Sequence, residues 1–230
     1  MKNGFIIAID GPAAAGKGTV APVLASKLHG YHLYTGSMYR CVTLYCLIHA
    51  IDITDEKKVV DALGDIAIAF KDDRYFLNGD DVTKRIRERD IDTAVSTIAD
   101  YQGVRHAMIS QQQYIGKEKT QNGAIVIAEG RDTATKVFPD AEVKIYLTAK
   151  PEVRAKRRLK QLQERGLVNA TFEEILKETI VRDEQDMYGN LGYLVSDPAK
   201  YGYDIIDDTD KTEEQTIDAI LAVLKKKKLL

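Results

Sequence analysis

The chain has 230 residues, 44% hydrophobic and 30% charged, which is enough apolar material for a large core and excludes global disorder. Its 33 basic and 35 acidic residues nearly cancel, for a net charge of -2. A broad basic footprint for nucleic acid is therefore excluded, and anions must be bound by local geometry. Cys41 and Cys46 sit five apart in one amphipathic stretch and make neither a CxxC pair nor a disulfide framework, which fits a reducing cytosol. The apolar runs are too short for a membrane span and the N-terminal pattern is not that of a signal peptide, so a cytoplasmic protein is expected.

Taken in chain order, residues 5–9 are a continuous apolar run ending in Asp10-Gly11-Pro12, the pattern of a strand buried on both faces. Residues 17–28 then carry Val20, Val23, Leu24 and Leu28 at helical spacing and stop before Gly30. Residues 38–50 repeat the helical pattern. Two β-rich runs, 66–70 and 74–77, flank Lys71-Asp72-Asp73, and Asn78-Gly79 adds a second turn, together a hairpin signal. This hairpin and two following helices make 55–121 the expected insertion. Residues 124–128 and 143–147 predict two further buried strands, the latter leading through Lys150-Pro151 into a very basic helix. A short strand is expected over 204–207 and a last helix over 212–225. The lysines at 225–228 read as a solvated helix end that suits the dipole. Strands alternating with helices predict an α/β fold of one domain, a parallel sheet between helical layers, with its core in 1–54 and 122–230.

The segment Gly11-Pro12-Ala13-Ala14-Ala15-Gly16-Lys17 matches the G-x-x-x-x-G-K core of a P-loop, with a buried strand before it and a helix starting at the lysine. Glycines allow a tight turn whose N–H groups face phosphate oxygens. The helix start adds partial positive charge and Lys17 a mobile ammonium. The alternative is a glycine-rich turn that binds nothing. After Lys17 come Gly18 and only then Thr19. This Gly-Lys-Gly-Thr variant resembles nucleoside monophosphate kinases, in which magnesium is held largely through water. No Asn-Lys-x-Asp motif for guanine occurs, so a kinase is favoured over a GTPase.

Four blocks in the same order resemble bacterial cytidylate kinases: 11–19; Tyr34-Thr35-Gly36-Ser37-Met38-Tyr39-Arg40; Gly130-Arg131-Asp132 with Val137-Phe138-Pro139-Asp140-Ala141; and Arg182-Asp183-Glu184-Gln185-Asp186. The resemblance spans about 5–221. It implies a three-layer α/β/α P-loop fold, with 55–121 as the acceptor-binding module and a lid at about 151–192. It implies ATP as phosphoryl donor, Mg2+, and CMP and dCMP as acceptors, with no nucleic acid or membrane partner and a monomeric chain. By the same resemblance Arg40 and Arg131 hold the acceptor phosphate beside Ser37, and a bidentate guanidinium suits that task. Ser96, Arg105 and Asp132 would read the cytosine edge, where a carboxylate can accept from the exocyclic amine. Arg182 and Asp186, four apart on a helix, would meet the sugar; an ordinary ion pair between them is the alternative. Thr19 and Glu129 would act on magnesium through water.

Several positions depart from the family pattern. Tyr34 and Glu129 stand where it usually has aspartate, and arginines expected near Gln185 and Gly189 are missing, as is the usual run at 190–194. Arg154, Arg157 and Arg158 on the basic helix share a face, and contact with ATP phosphates is expected of Arg157 and Arg158; Lys156, Lys160 and Arg165 complete its charge, with Lys156 and Lys160 read as solvated. Asp10 has two readings, a magnesium helper or an acceptor for a helical turn. His29, His32, His49 and His106 show no metal-ligand spacing. The alternatives in function are a kinase of UMP or AMP, or a homologue that binds nucleotide without catalysis.

Overall fold

The computed structural model describes residues 4–71, 74–164, 166, 170–188 and 194–230. Asp72, Asp73, Arg165, Gly189 and residues 190–193 of the departing run lie outside the described residues. In chain order the strands are β1 Ile6–Asp10, β2 Tyr31–Tyr34, β3 Ile68–Lys71, β4 Arg74–Leu77, β5 Asp80–Asp81, β6 Val126–Glu129, β7 Val143–Thr148 and β8 Asp204–Asp207. The helices are α1 Lys17–Lys27, α2 Thr35–Ile48, α3 Glu56–Asp61, α4 Arg89–Ala99, α5 Gln102–Gln121, α6 Pro151–Glu164, α7 Phe172–Tyr188 and α8 Glu213–Lys226. The chain forms two compact units: residues up to Leu33 together with Gly116–Leu230, and Tyr34–Ile115. The second unit overlaps the expected insertion and also takes in α2.

The first unit holds a five-stranded sheet of order β2-β6-β1-β7-β8. β1 pairs in parallel with both β6 and β7, and β7 with β8, as apolar strands linked by helical crossovers require. Alternation along β1 sends Ile7 and Ile9 into a core shared with Val20 and Leu24 of α1 and Ile217, Ile220 and Leu224 of α8. Asp10, out of phase with Ile9, turns to the other face. Thr212 caps α8 in a capping box with Gln215. Lys225 to Lys228 are exposed, and Lys227 reaches Asp204 at 3.5 Å, the solvated ending expected.

In the second unit α2 is buried on two sides. Met38, Val42 and Cys46 pack with Val59, Val95, Ile98, Val104 and Met108, while Cys41 and Leu44 pack with Tyr75, Leu77, Ile86 and Ile91. The expected hairpin is present as β3 and β4, and the turn at Asn78-Gly79 adds β5 to make a three-stranded antiparallel sheet. Both cysteines are buried thiols; desolvation pushes Cys41 up to about 12, so neither is a ready nucleophile. No helix among the described residues is long and apolar enough to cross a membrane.

Candidate active site

The loop from β1 to α1 is shaped by backbone constraints. A Cβ on Gly11 would lie 2.0 Å from the Leu147 carbonyl oxygen, so only glycine lets the chain pass β7 this closely. Gly16 caps α1 with φ of 94°, and a Cβ there would meet Asp208 Oδ2 at 2.7 Å. The first turn of α1 carries no acidic residue, which leaves the positive end of the helix dipole available to an anion.

Lys17 is buried at that helix start. Its Nζ donates to the carbonyls of Gly11 at 2.6 Å and Pro12 at 2.8 Å. Burial lowers its pKa well below the usual lysine value, the Arg131 guanidinium adds to the effect, and Glu129, Asp10 and Asp186 oppose it. A desolvated ammonium held by neutral carbonyls gains strongly from an arriving phosphate. Arg131 donates through Nε to Asp186 at 2.8 Å and through Nη1 to the Gly11 carbonyl at 3.2 Å. Two cations, one from the start of α1 and one just after β6, therefore converge on one carbonyl at the mouth of the loop.

Glu129 lies opposite Ile9 in the β1–β6 register and is 2% exposed. Its Oε1 is 2.8 Å from His32 Nε2, and its Oε2 is 3.9 Å from where a Gly18 Cβ would stand. Thr19, next to Gly18, is exposed at the start of α1. Among the described residues no group of three or more His, Cys, Asp and Glu side chains could hold a metal ion. A hydroxyl and one carboxylate at the helix start nevertheless fit a hydrated magnesium bound mainly by phosphates, since both are hard oxygen donors.

Asp10 resolves to the helical-turn reading. Its Oδ1 accepts from Thr133 N at 2.8 Å, and its Oδ2 from Ala134 N and the Tyr203 hydroxyl, each at 2.7 Å. It thereby caps the single wide turn Thr133–Val137 that follows Arg131 and Asp132. Burial and this carboxylate push the Tyr203 hydroxyl far up, so it stays a donor.

The basic helix α6 divides by depth. Arg154, only 3% exposed, pairs with Asp183 of α7 and also donates to the carbonyls of Ala149 at 2.8 Å and Ala13 at 3.2 Å. It is an internal tie between loop and helix. Arg157 donates to Asp208 Oδ2 at 2.7 Å and to the Asp208 carbonyl at 3.0 Å, beside Gly16. Arg158 is half-buried, while Lys156 lies over the Phe172 ring and Lys160 faces Glu164. On α7 Asp186 is nearly buried and turned to Arg131, whereas Arg182 is half-buried and Gln185 exposed. Asp132 is half-buried, and its carbonyl accepts from Lys136 N at 2.8 Å.

Within the second unit, Arg40 of α2 donates to Asp92 Oδ1 at 2.5 Å and to the Ile86 carbonyl at 2.9 Å. Burial works against its charge, but Tyr34 and Asp92 outweigh that and raise its pKa. Tyr34, where the resemblance expects aspartate, is thus a polar neighbour of Arg40, and a carboxylate comes from α4 instead. Ser37, fully buried, donates to the Tyr34 carbonyl at 2.7 Å. Ser96 is exposed on α4, out of phase with the core residues Val95 and Ile98, and Arg105 is half-buried on α5.

Three partners escaped the sequence reading. His32 lies in β2, an edge strand too short and too polar to show. Asp183 was hidden among the acidic residues of α7. Asp208 could have been found as the carboxylate directly after the short strand 204–207.

Residues 7–226 match the family model for cytidylate kinase. The chain is 38% identical over 218 residues to the cytidylate kinase of Clostridioides difficile, covering 95% of this chain and 97% of that protein. It is 40% identical over 225 residues to the cytidylate kinase of Thermotoga petrophila, covering 97% and 98%. In fold alone it is similar to the shikimate kinase of Bacteroides thetaiotaomicron, with a TM-score of 0.50 at 15% identity over 96% of this chain and 98% of that one. A P-loop followed in order by the expected blocks, in a sheet of this topology and over nearly the whole length, places this chain in the cytidylate kinase family.

Proposed function

We propose that this chain transfers the γ-phosphate of ATP to CMP and dCMP, giving CDP and dCDP, as a monomer working on free nucleotides in the cytoplasm. The observation that carries this proposal is the convergence of buried Lys17 and Arg131 on the Gly11 carbonyl at the mouth of a glycine-shaped loop. Those cations sit where two phosphates would otherwise repel each other.

In this proposal the backbone from Gly11 to Thr19 cradles the ATP phosphates, and Lys17 leaves its carbonyl acceptors for the transferring phosphoryl group. Its raised affinity for a proton on meeting phosphate keeps it charged. Thr19 and Glu129 would hold a magnesium ion brought with ATP, through water, and that ion would supply further neutralisation of phosphate charge. Arg157 and Arg158 serve the donor side. The family resemblance assigns Arg131 and, in the other unit, Arg40 and Ser37 each to the acceptor phosphate, and Arg131 exchanges part of its contact with Asp186 and Gly11 for phosphate oxygens. Ser96, Arg105 and Asp132 select the base, because an acceptor with the wrong edge would leave polar groups that the base covers unpaired. Arg182 and Asp186 meet the sugar. No covalent intermediate is needed; positioning and charge carry the rate.

The test is ADP release from Mg-ATP with CMP, dCMP, UMP and AMP side by side. CMP and dCMP should be turned over far faster than the others. Equal rates would overturn the base assignment, and binding without turnover of any acceptor would leave only a nucleotide-binding homologue.

A further inference from the structure

We propose that His32 is a positioning residue that aims the Glu129 carboxylate at the start of α1, where the ATP-borne magnesium is to be oriented; this rests on the reading above. Glutamate has one more rotatable bond than the aspartate usual at this point, so its carboxylate needs something to fix it. His32 supplies that fixture. It stands on β2, the neighbour of β6 in the sheet, and its Nε2–H donates to Glu129 Oε1 at 2.8 Å. Both side chains are withdrawn from water, at 12% and 3% exposure, where a hydrogen bond to a carboxylate is strong and a lost one costly.

With Oε1 held on the β2 side, Oε2 is turned toward Gly18, 3.9 Å from its would-be Cβ, and Thr19 is the next residue in the chain. The same carboxylate also favours the charge on Lys17. His32 therefore helps set which way a buried anion faces beside the phosphate cradle. Partners of this kind, which hold a ligand group without touching the ion, typically change metal affinity by about tenfold to a hundredfold when removed.

The experiment compares wild type, His32→Phe, His32→Ala and His32→Gln. ADP affinity is measured in EDTA and in excess magnesium, and the magnesium dependence of CMP turnover is measured alongside. His32→Phe is expected to lose about tenfold of the magnesium-dependent gain in ADP affinity, with the metal-free affinity unchanged. The magnesium needed for half-maximal turnover should rise by a similar factor, while KM for CMP stays put. His32→Gln, whose Nε2–H can reach the same oxygen, should restore most of the gain. If His32→Phe does not fold, His32→Ala against His32→Gln makes the same comparison.

The inference is overturned if the variants keep the full magnesium gain, if metal-free affinity falls equally, or if glutamine behaves like phenylalanine. A wild type with no magnesium gain overturns it too. Failure of the kinase reading looks different: wild type then turns over no CMP at any magnesium concentration, whatever the ADP measurements give.

Discussion

The two units hold their cations by different means. In the unit built on the five-stranded sheet, Lys17 is anchored to backbone carbonyls of its own loop, and Arg131 to one of those carbonyls and Asp186. The positions depend on where strands end and on two glycines, Gly11 because a Cβ would strike the Leu147 backbone and Gly16 because its φ of 94° strains any side-chain-bearing residue. In the unit Tyr34–Ile115, Arg40 is held by a side chain, Asp92, and a carbonyl, and Ser96 stands on a helix surface. The first arrangement rests mostly on backbone carbonyls, with Asp186 as a side-chain partner of Arg131; the second rests on the Asp92 side chain and one carbonyl and should tolerate substitution in graded steps.

The sharpest way to break that contrast is Lys17→Met. It should cut turnover by roughly a thousandfold, the scale of losing one transition-state charge contact, as read by steady-state ADP release. The lowered Lys17 pKa adds a second readout. In alkaline buffer below pH 10.5 the unliganded protein carries less than one proton there, and phosphate binding restores it. ADP binding should therefore take up protons, measurable by calorimetry in buffers of different ionisation heat, and Lys17→Met should abolish the uptake.

Next in size is Asp183→Asn. It leaves Arg154 buried without its counter-charge and should cost about 3 kcal/mol in urea unfolding, against a fraction of that for an exposed pair such as Lys57–Asp61. Arg40→Ala should raise KM for CMP by about a hundredfold with little change in ATP binding, the scale of losing a charged hydrogen-bonded partner. The smallest effect is expected for Ser96→Ala, about tenfold or less in kcat/KM for CMP and none for metal-free ADP affinity. A Ser96→Ala enzyme as impaired as Lys17→Met would erase the contrast between a lysine anchored on backbone carbonyls and a serine on a helix surface.

Much of this was legible in order. The strand at 6–10, the loop and the helix from Lys17 were visible because an apolar run, glycines at fixed spacing and a 3.6-residue repeat are local signals. The hairpin was legible for the same reason. Residues whose role depends on a partner far along the chain were not. Asp10 showed two readings until Thr133 and Ala134 came to its carboxylate across more than a hundred residues. Arg154 showed only that it shares a helix face with Arg157 and Arg158 until Asp183 and the Ala13 carbonyl enclosed it. His32 carried no signal at all, since its meaning is that β2 lies beside β6.

The sequence by itself determined the alternation of strands and helices, the phosphate loop with its two obligatory glycines, and the order of blocks that marks the family. These are properties of short segments, set by sterics and hydrophobic period. The tertiary structure alone decided which polar groups face each other: Arg131 to Asp186, Arg154 to Asp183, Arg157 to Asp208, Arg40 to Asp92 and His32 to Glu129. A charge in the sequence has many candidate partners, and only burial makes the wrong pairing expensive enough to leave one.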